Sequence, residues 1–276
     1  MINLEKLKIR FYSSYKVDKF REKCLSLCTP HKQTKIIFIL GCQRSGTTII
    51  QQLVSMSPLV KYHGEGELPY FYDADGEKSF RFKSTNDIEQ YTDDEAYDFI
   101  ALKPLYESHN IEQLLSDHEG SKAIWVFRNY NDVIKSHLNY YNFDAIDYIR
   151  PVFNLKIKSW INEYVPQNVS ELLKQLSIDE LSDADAYALF WLLRSSIYLN
   201  ISESHKNKVL LINYEDLISM PEQQTSRLFN FLDIAKKSFF YKIIRSGIVK
   251  NSYNFKINPI IKIECDRIYK ELYSHC

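Results

Sequence analysis

Five apolar residues in a row, Ile36 to Leu40, run straight into GCQRSGTT at 41–48. From Thr48 to Met56 apolar and polar residues then alternate at helical spacing, until Ser57-Pro58 ends the pattern. A short run apolar on every side chain marks a strand buried on both faces, as in parallel sheets covered by helices. Gly41 and Gly46 allow a sharp turn between that strand and the helix. Strand, glycine loop and helix in this order predict an α/β fold.

The rest of the chain extends that pattern. Ala123–Phe127 (AIWVF) and Val209–Ile212 (VLLI) read as two more buried strands, and helical stretches fall at 111–115, 132–140, 185–199, 221–232 and 259–272. Alternating strands and helices predict a three-layer sandwich around a central parallel sheet. Residues 72–120 read as acidic and polar apart from the helix at 111–115. No repeat or Gly/Ser linker divides the chain, so a single domain is expected over 1–276. It has an N-terminal helical extension at 1–34 and a helical insertion at about 145–207.

Composition excludes several classes. The formal net charge is zero, which gives no electrostatic footprint for nucleic acid. No run of about 18 apolar residues predicts a membrane span. The N-terminus has charges every few residues and no apolar core, so no cleaved leader is expected. Residues 1–30 are positively biased and roughly amphipathic, which suits an N-terminal helix packed on the domain or peripheral contact with an anionic membrane or substrate. The five cysteines are scattered, including Cys24 and Cys28 without nearby histidines. Neither a disulfide framework nor a metal site follows, and a cytoplasmic location is the simplest reading.

The loop itself predicts phosphate binding. Its glycines let backbone N–H groups point inward, and the helix beginning near Gly46 adds the positive end of its dipole. Ser45, Thr47 and Thr48 are hydroxyl donors, and Arg44 brings a planar fork suited to two-pronged contact. The loop differs from the G-x-x-x-x-G-K-[ST] pattern of nucleoside triphosphatases because Thr47 stands at the lysine position. The second strand ends in Arg128 where a metal-holding acid would be expected. A cation there calls for a second anion. Ser136 lies eight residues beyond Arg128, about two helical turns on, so both can meet one phosphate near a strand switch point.

GCQRSGTT at 41–48 and WVFRNYNDVIKS at 125–136 together resemble the sulfotransferases that use 3′-phosphoadenosine 5′-phosphosulfate, PAPS. The loop matches the arginine version found in tyrosylprotein-type and many bacterial members. Tyr130 replaces the proline usual after Asn129. The resemblance implies that Gly41, Arg44, Ser45, Gly46, Thr47 and Thr48 grip the 5′-phosphosulfate and that Arg128 and Ser136 hold the 3′-phosphate. Tyr214, in INYEDL, matches a tyrosine beside the adenine, although a core tyrosine at a strand end explains it equally well. Arg245, Ser246 and Gly247 partly match a further 3′-phosphate segment, with Ser246 in place of a lysine.

For the base, the resemblance points to YHGEGELPYFYD at 62–73. Glu67 precedes a Tyr-Phe pair in the manner of carbohydrate and protein sulfotransferases, and Glu65 fits the tyrosylprotein spacing. The aromatic pair favours Glu67. His63 and His109 are nearby histidines outside any matching motif. Lys103-Pro104 approximates, one residue short, a K-x-P segment whose lysine approaches the transferred group. The expected reaction is direct, metal-free sulfuryl transfer from PAPS to a hydroxyl acceptor, carbohydrate first, releasing adenosine 3′,5′-bisphosphate. A small-molecule or nucleotide kinase and a nucleotide-binding relative without catalysis are the alternatives. Oligomeric state is not encoded legibly.

Overall fold

The computed structural model describes residues 34–65, 70–73, 80–83, 88, 97–140, 144–244 and 255–276. Strand β1 (Lys35–Gly41) leads through the loop into α1 (Thr47–Val54), followed by β2 (Val60–His63). A two-stranded antiparallel hairpin, β3 (Phe71–Asp73) and β4 (Phe80–Phe82), stands apart from the main sheet. Then come β5 (Phe99–Leu102), a 3-10 turn at Leu105–Asn110, α2 (Ile111–Asp117), β6 (Lys122–Phe127) and α3 (Tyr130–Tyr140).

The stretch expected as a helical insertion contains α4 (Ala145–Phe153), a 3-10 turn at Trp160–Asn162, α5 (Gln167–Leu173), α6 (Asp183–Leu199) and α7 (Glu203–Lys206). The chain closes with β7 (Val209–Asn213), α8 (Tyr214–Ser219), α9 (Pro221–Leu232) and α10 (Pro259–Ser274).

The five main strands are parallel and lie in the order β2-β5-β1-β6-β7. Their apolar runs have a direct physical cause. Successive strand side chains point to opposite faces, and both faces are covered. Ile36, Phe38, Leu40, Ala123, Trp125 and Phe127 enter one core, shared with α3, α4, α6 and α10. Ile37, Ile39, Ile124 and Val126 enter the other, shared with α1 and α9. The result is the three-layer sandwich expected.

Two strands of the main sheet were not legible in the sequence, β2 and β5, nor were the hairpin strands β3 and β4. Phe99–Leu102 lies in the stretch read as polar, yet it pairs with β1 on one side and β2 on the other. Helix α6 begins two residues earlier than the periodicity suggests, because Ser182 and Asp185 form a reciprocal capping box there. Its residues Asp185 to Tyr198 are all buried, which makes it the central rod of one face.

Register places the site. Gly41 pairs with Val126, and Phe127 pairs with Asn213. The residues just past β1, β6 and β7 therefore emerge side by side at the sheet's C-terminal edge. The loop leaves β1 there, Arg128 leaves β6, and Tyr214 leaves β7. This is the crevice in which open parallel sheets bind ligands.

Candidate functional site

The loop after β1 folds back on itself through three residues with positive φ: Gly41 at 131°, Arg44 at 67° and Gly46 at 98°. A side chain at Gly41 would place its Cβ 2.2 Å from the Val126 carbonyl oxygen, and one at Gly46 would lie 2.3 Å from Tyr214 Cδ2. Both glycines are therefore required by close approach as well as by backbone angle. Arg44 has no such exemption. A non-glycine residue in the left-handed region is held there by its surroundings and is a common mark of functional loops.

Helix α1 starts at Gly46 with no side-chain cap and no acidic residue in its first turn. Its first N–H groups are left for an anion. Thr47 is buried and Thr48 exposed, while Ser45 is wholly enclosed behind the loop. Burial pushes the neighbouring Cys42 thiol up to about 12, so it stays protonated and adds no negative charge.

Two motifs separated by 92 residues meet directly. The Arg44 Nε donates to the Ser136 hydroxyl at 3.0 Å. Arg128 Nη1 reaches the Arg44 carbonyl at 3.5 Å, so both guanidinium groups stand at the same crevice. The Arg44 guanidinium also lies 4.0 Å from the centre of the Tyr140 ring, and that of Arg128 lies 4.4 Å from the Tyr214 ring. Such stacking orients an arginine while leaving its in-plane donors for other partners. Asp132, in the first turn of α3, is 3.7 Å from Arg128 Nη2. Tyr214 thus lies close to both Gly46 and Arg128, a supporting position for the loop.

A third cation joins from β5. Lys103, one residue past that strand, places its Nζ 3.5 Å from the Thr48 hydroxyl and 3.5 Å from Glu65 Oε1. Lys103 therefore links the phosphate loop to one of the two candidate bases. Burial raises the Glu65 carboxyl above its ordinary range, and Lys103 offsets part of that rise. Glu67 lies outside the described residues, as do Arg245, Ser246 and Gly247. His63 ends β2 opposite Leu102, with its ring 4.6 Å from that of Tyr70, and His109 sits 3.3 Å from Glu163.

Several supports were not read from the sequence. Trp191 of α6 donates from Nε1 to the Arg128 carbonyl at 3.0 Å. Glu215 accepts from the Asn129 N–H at 3.0 Å and from the Asn213 carboxamide at 2.8 Å, pinning the turn after Arg128 to the end of β7. Arg194, also on α6, donates to the Leu105 carbonyl and so ties down the turn that follows Lys103. Glu215 had a sequence signal, a carboxylate directly after the strand-end tyrosine. Trp191 and Arg194 had none, since both sit in a helix that reads as core.

A family model for the sulfotransferase domain matches residues 34–264. The chain belongs to the sulfotransferase family. It is accordingly a sulfotransferase enzyme with PAPS as its sulfuryl donor. Among solved structures, it is similar to the sulfotransferase domain of the Synechococcus PCC 7002 olefin synthase, at 14% identity and TM-score 0.53, covering 88% of this chain and 97% of that one. The sulfotransferase domain from the curacin biosynthetic pathway gives 15% identity and TM-score 0.53, over 87% and 98% of the two chains. At such identities the likeness is one of fold. No curated sequence matches. Among the described residues, no helix of this sulfotransferase is long and apolar enough to cross a membrane.

Proposed function

We propose that this sulfotransferase passes the sulfuryl group of PAPS directly to a hydroxyl, that of a carbohydrate or glycoconjugate first, with Glu65 as general base. The observation that carries this reading is the placement of Lys103 between Thr48 of the loop and the Glu65 carboxylate. The proposed base and the proposed sulfonate-binding groups are thereby within one side chain of each other.

In this reading the nucleotide lies across the crevice. The glycine loop 41–48, through the N–H groups at the start of α1 and its hydroxyls, takes the 5′-phosphosulfate, and Arg128 with Ser136 takes the 3′-phosphate. Arg44 stands at the junction; its bond to Ser136 uses one of five guanidinium donors. Glu65 accepts the acceptor's proton as its oxygen bonds to sulfur. The bond from sulfur to the bridging phosphate oxygen breaks with its electron pair. Charge then grows on the leaving 5′-phosphate, where Arg44 and the loop hold it, while Lys103 faces the equatorial sulfonate oxygens. Family membership sets aside the kinase alternative, and the Lys103–Glu65 pair favours catalysis over nucleotide binding alone.

The direct test supplies labelled PAPS to a panel of carbohydrate, phenolic and aliphatic acceptors with a chelator present. O-sulfated sugar is the expected product. Label transferred only to amines, or to no hydroxyl, would overturn the proposal.

The same assay yields a pH prediction. A base acts only when ionised, so the rate should fall as pH drops through the raised Glu65 pKa. Lys103 lowers that pKa, so Lys103→Met should move the acid limb of kcat to higher pH. A limb that stays in place would show that Glu65 is not the titrating group.

A further inference from the structure

The described surface carries its most exposed large apolar side chain, Leu155 at 73%, on the turn between α4 and the Trp160–Asn162 segment. Ile157 follows, also exposed, and Lys156 and Lys158 alternate with these two. The turn has a fixed backbone. The Ile157 N–H donates to the Asn154 carbonyl at 2.9 Å, and the Asn154 side chain accepts from the Lys156 N–H. From below, the Asn162 carboxamide holds the Pro151 and Ile157 carbonyls, each at 2.8 Å. A built turn that displays its apolar side chains to water marks an interaction surface.

The segment that follows this tip is tied to the hairpin. Arg81 of the hairpin forks onto Glu163 at 2.7 and 2.9 Å, and Tyr72 stands directly across the hairpin from Arg81. Tyr72 on the hairpin and Tyr164, which follows Glu163, are also exposed. Arg81 is shared between Glu163 and Glu107, so one cation faces two carboxylates there, while Lys156 and Lys158 give the turn itself a positive sign. Trp160, two residues past Lys158, meets Tyr106 edge-on at 4.5 Å, three residues beyond Lys103.

Apolar tips flanked by lysines, with tyrosines beside them, match the chemistry of an anionic bilayer surface. The aliphatic chains enter the headgroup boundary, the lysines meet phosphate and carboxylate groups, and the tyrosines suit the interface. We propose that the turn 154–158 docks this protein on an anionic lipid surface, with Leu155 and Ile157 entering the headgroup boundary and Lys156 and Lys158 meeting its anions. The proposal stands apart from the assignment of the base and acceptor, because docking requires no nucleotide.

Co-sedimentation of the full chain with vesicles tests it. Wild type should pellet with phosphatidylcholine vesicles that contain phosphatidylserine, and far less with phosphatidylcholine alone. Leu155→Asp with Ile157→Asp, and separately Lys156→Glu with Lys158→Glu, should each weaken partitioning about tenfold or more. All these side chains are exposed, so both variants should keep the wild-type melting temperature. Wild type that stays in solution, or pellets equally with neutral vesicles, would overturn the proposal. So would either variant pelleting like wild type, which would place the contact elsewhere on the chain. Self-association through this turn without vesicle binding would likewise replace the lipid surface by a second copy.

Discussion

Glu65→Gln should lower the rate of sulfuryl transfer by about 10²- to 10⁴-fold, the range that a positioned general base contributes. The replacement keeps the shape of the side chain and removes its ability to take a proton. Glu65 remains 29% exposed at its side chain, open enough to meet an acceptor hydroxyl, yet buried enough that its carboxyl is raised. That combination suits a general base, since an ordinary glutamate is a weak proton acceptor. Affinity for adenosine 3′,5′-bisphosphate should change little, because the proposed phosphate contacts come from other residues. Single-turnover rates alongside product-binding titrations separate the two effects. Glu67→Gln is the comparison. If that variant loses transfer and Glu65→Gln keeps it, the base is Glu67, and Glu65 only balances Lys103.

Gly41→Ala should destabilise the fold by about 3–5 kcal/mol, among the largest effects of a single substitution. Two causes act together. Gly41 has φ of 131°, which an L side chain rarely adopts, and such strain alone costs about 1–3 kcal/mol. The added Cβ would also sit 2.2 Å from the Val126 carbonyl oxygen. That oxygen belongs to the backbone of β6, which pairs with β1 in the middle of the sheet. Relief requires opening the central strand pair. Gly46→Ala offers a contrast, since its clash is with the Tyr214 ring, a side chain that can swing away. It should cost less stability and more nucleotide affinity. Urea unfolding reads both, and a Gly41→Ala variant within about 1 kcal/mol of wild type would contradict this account of the loop.

The legible parts of the fold were those whose signal is local. β1, β6 and β7 announce themselves because their runs Ile36–Leu40, Ala123–Phe127 and Val209–Ile212 are wholly apolar, as burial on both faces demands. The amphipathic helix α9 was readable from end to end, starting at Pro221 where a missing N–H does no harm. β5 escaped notice because FIAL is only four residues long and stands among polar loops. β2 escaped because it is an edge strand with Lys61 and Tyr62 half-buried, so its pattern is mixed.

The site divides in the same way. Gly41, Arg44, Gly46, Arg128 and Ser136 follow from two short motifs, and Lys103 from an imperfect third. What no linear pattern could supply is the meeting of Arg44 with Ser136, or the bonds from Trp191 and Arg194 to backbone carbonyls in other elements. Those depend on the register Gly41 with Val126 and Phe127 with Asn213, which only the folded sheet sets.

Isothermal titration of adenosine 3′,5′-bisphosphate into wild type, Arg44→Ala and Arg128→Ala tests most directly whether one nucleotide spans both cationic positions. Charge-assisted contacts of this kind contribute about 1.5–3 kcal/mol, so each variant should bind about 10- to 100-fold more weakly. Wild-type affinity retained in both variants would contradict the shared site.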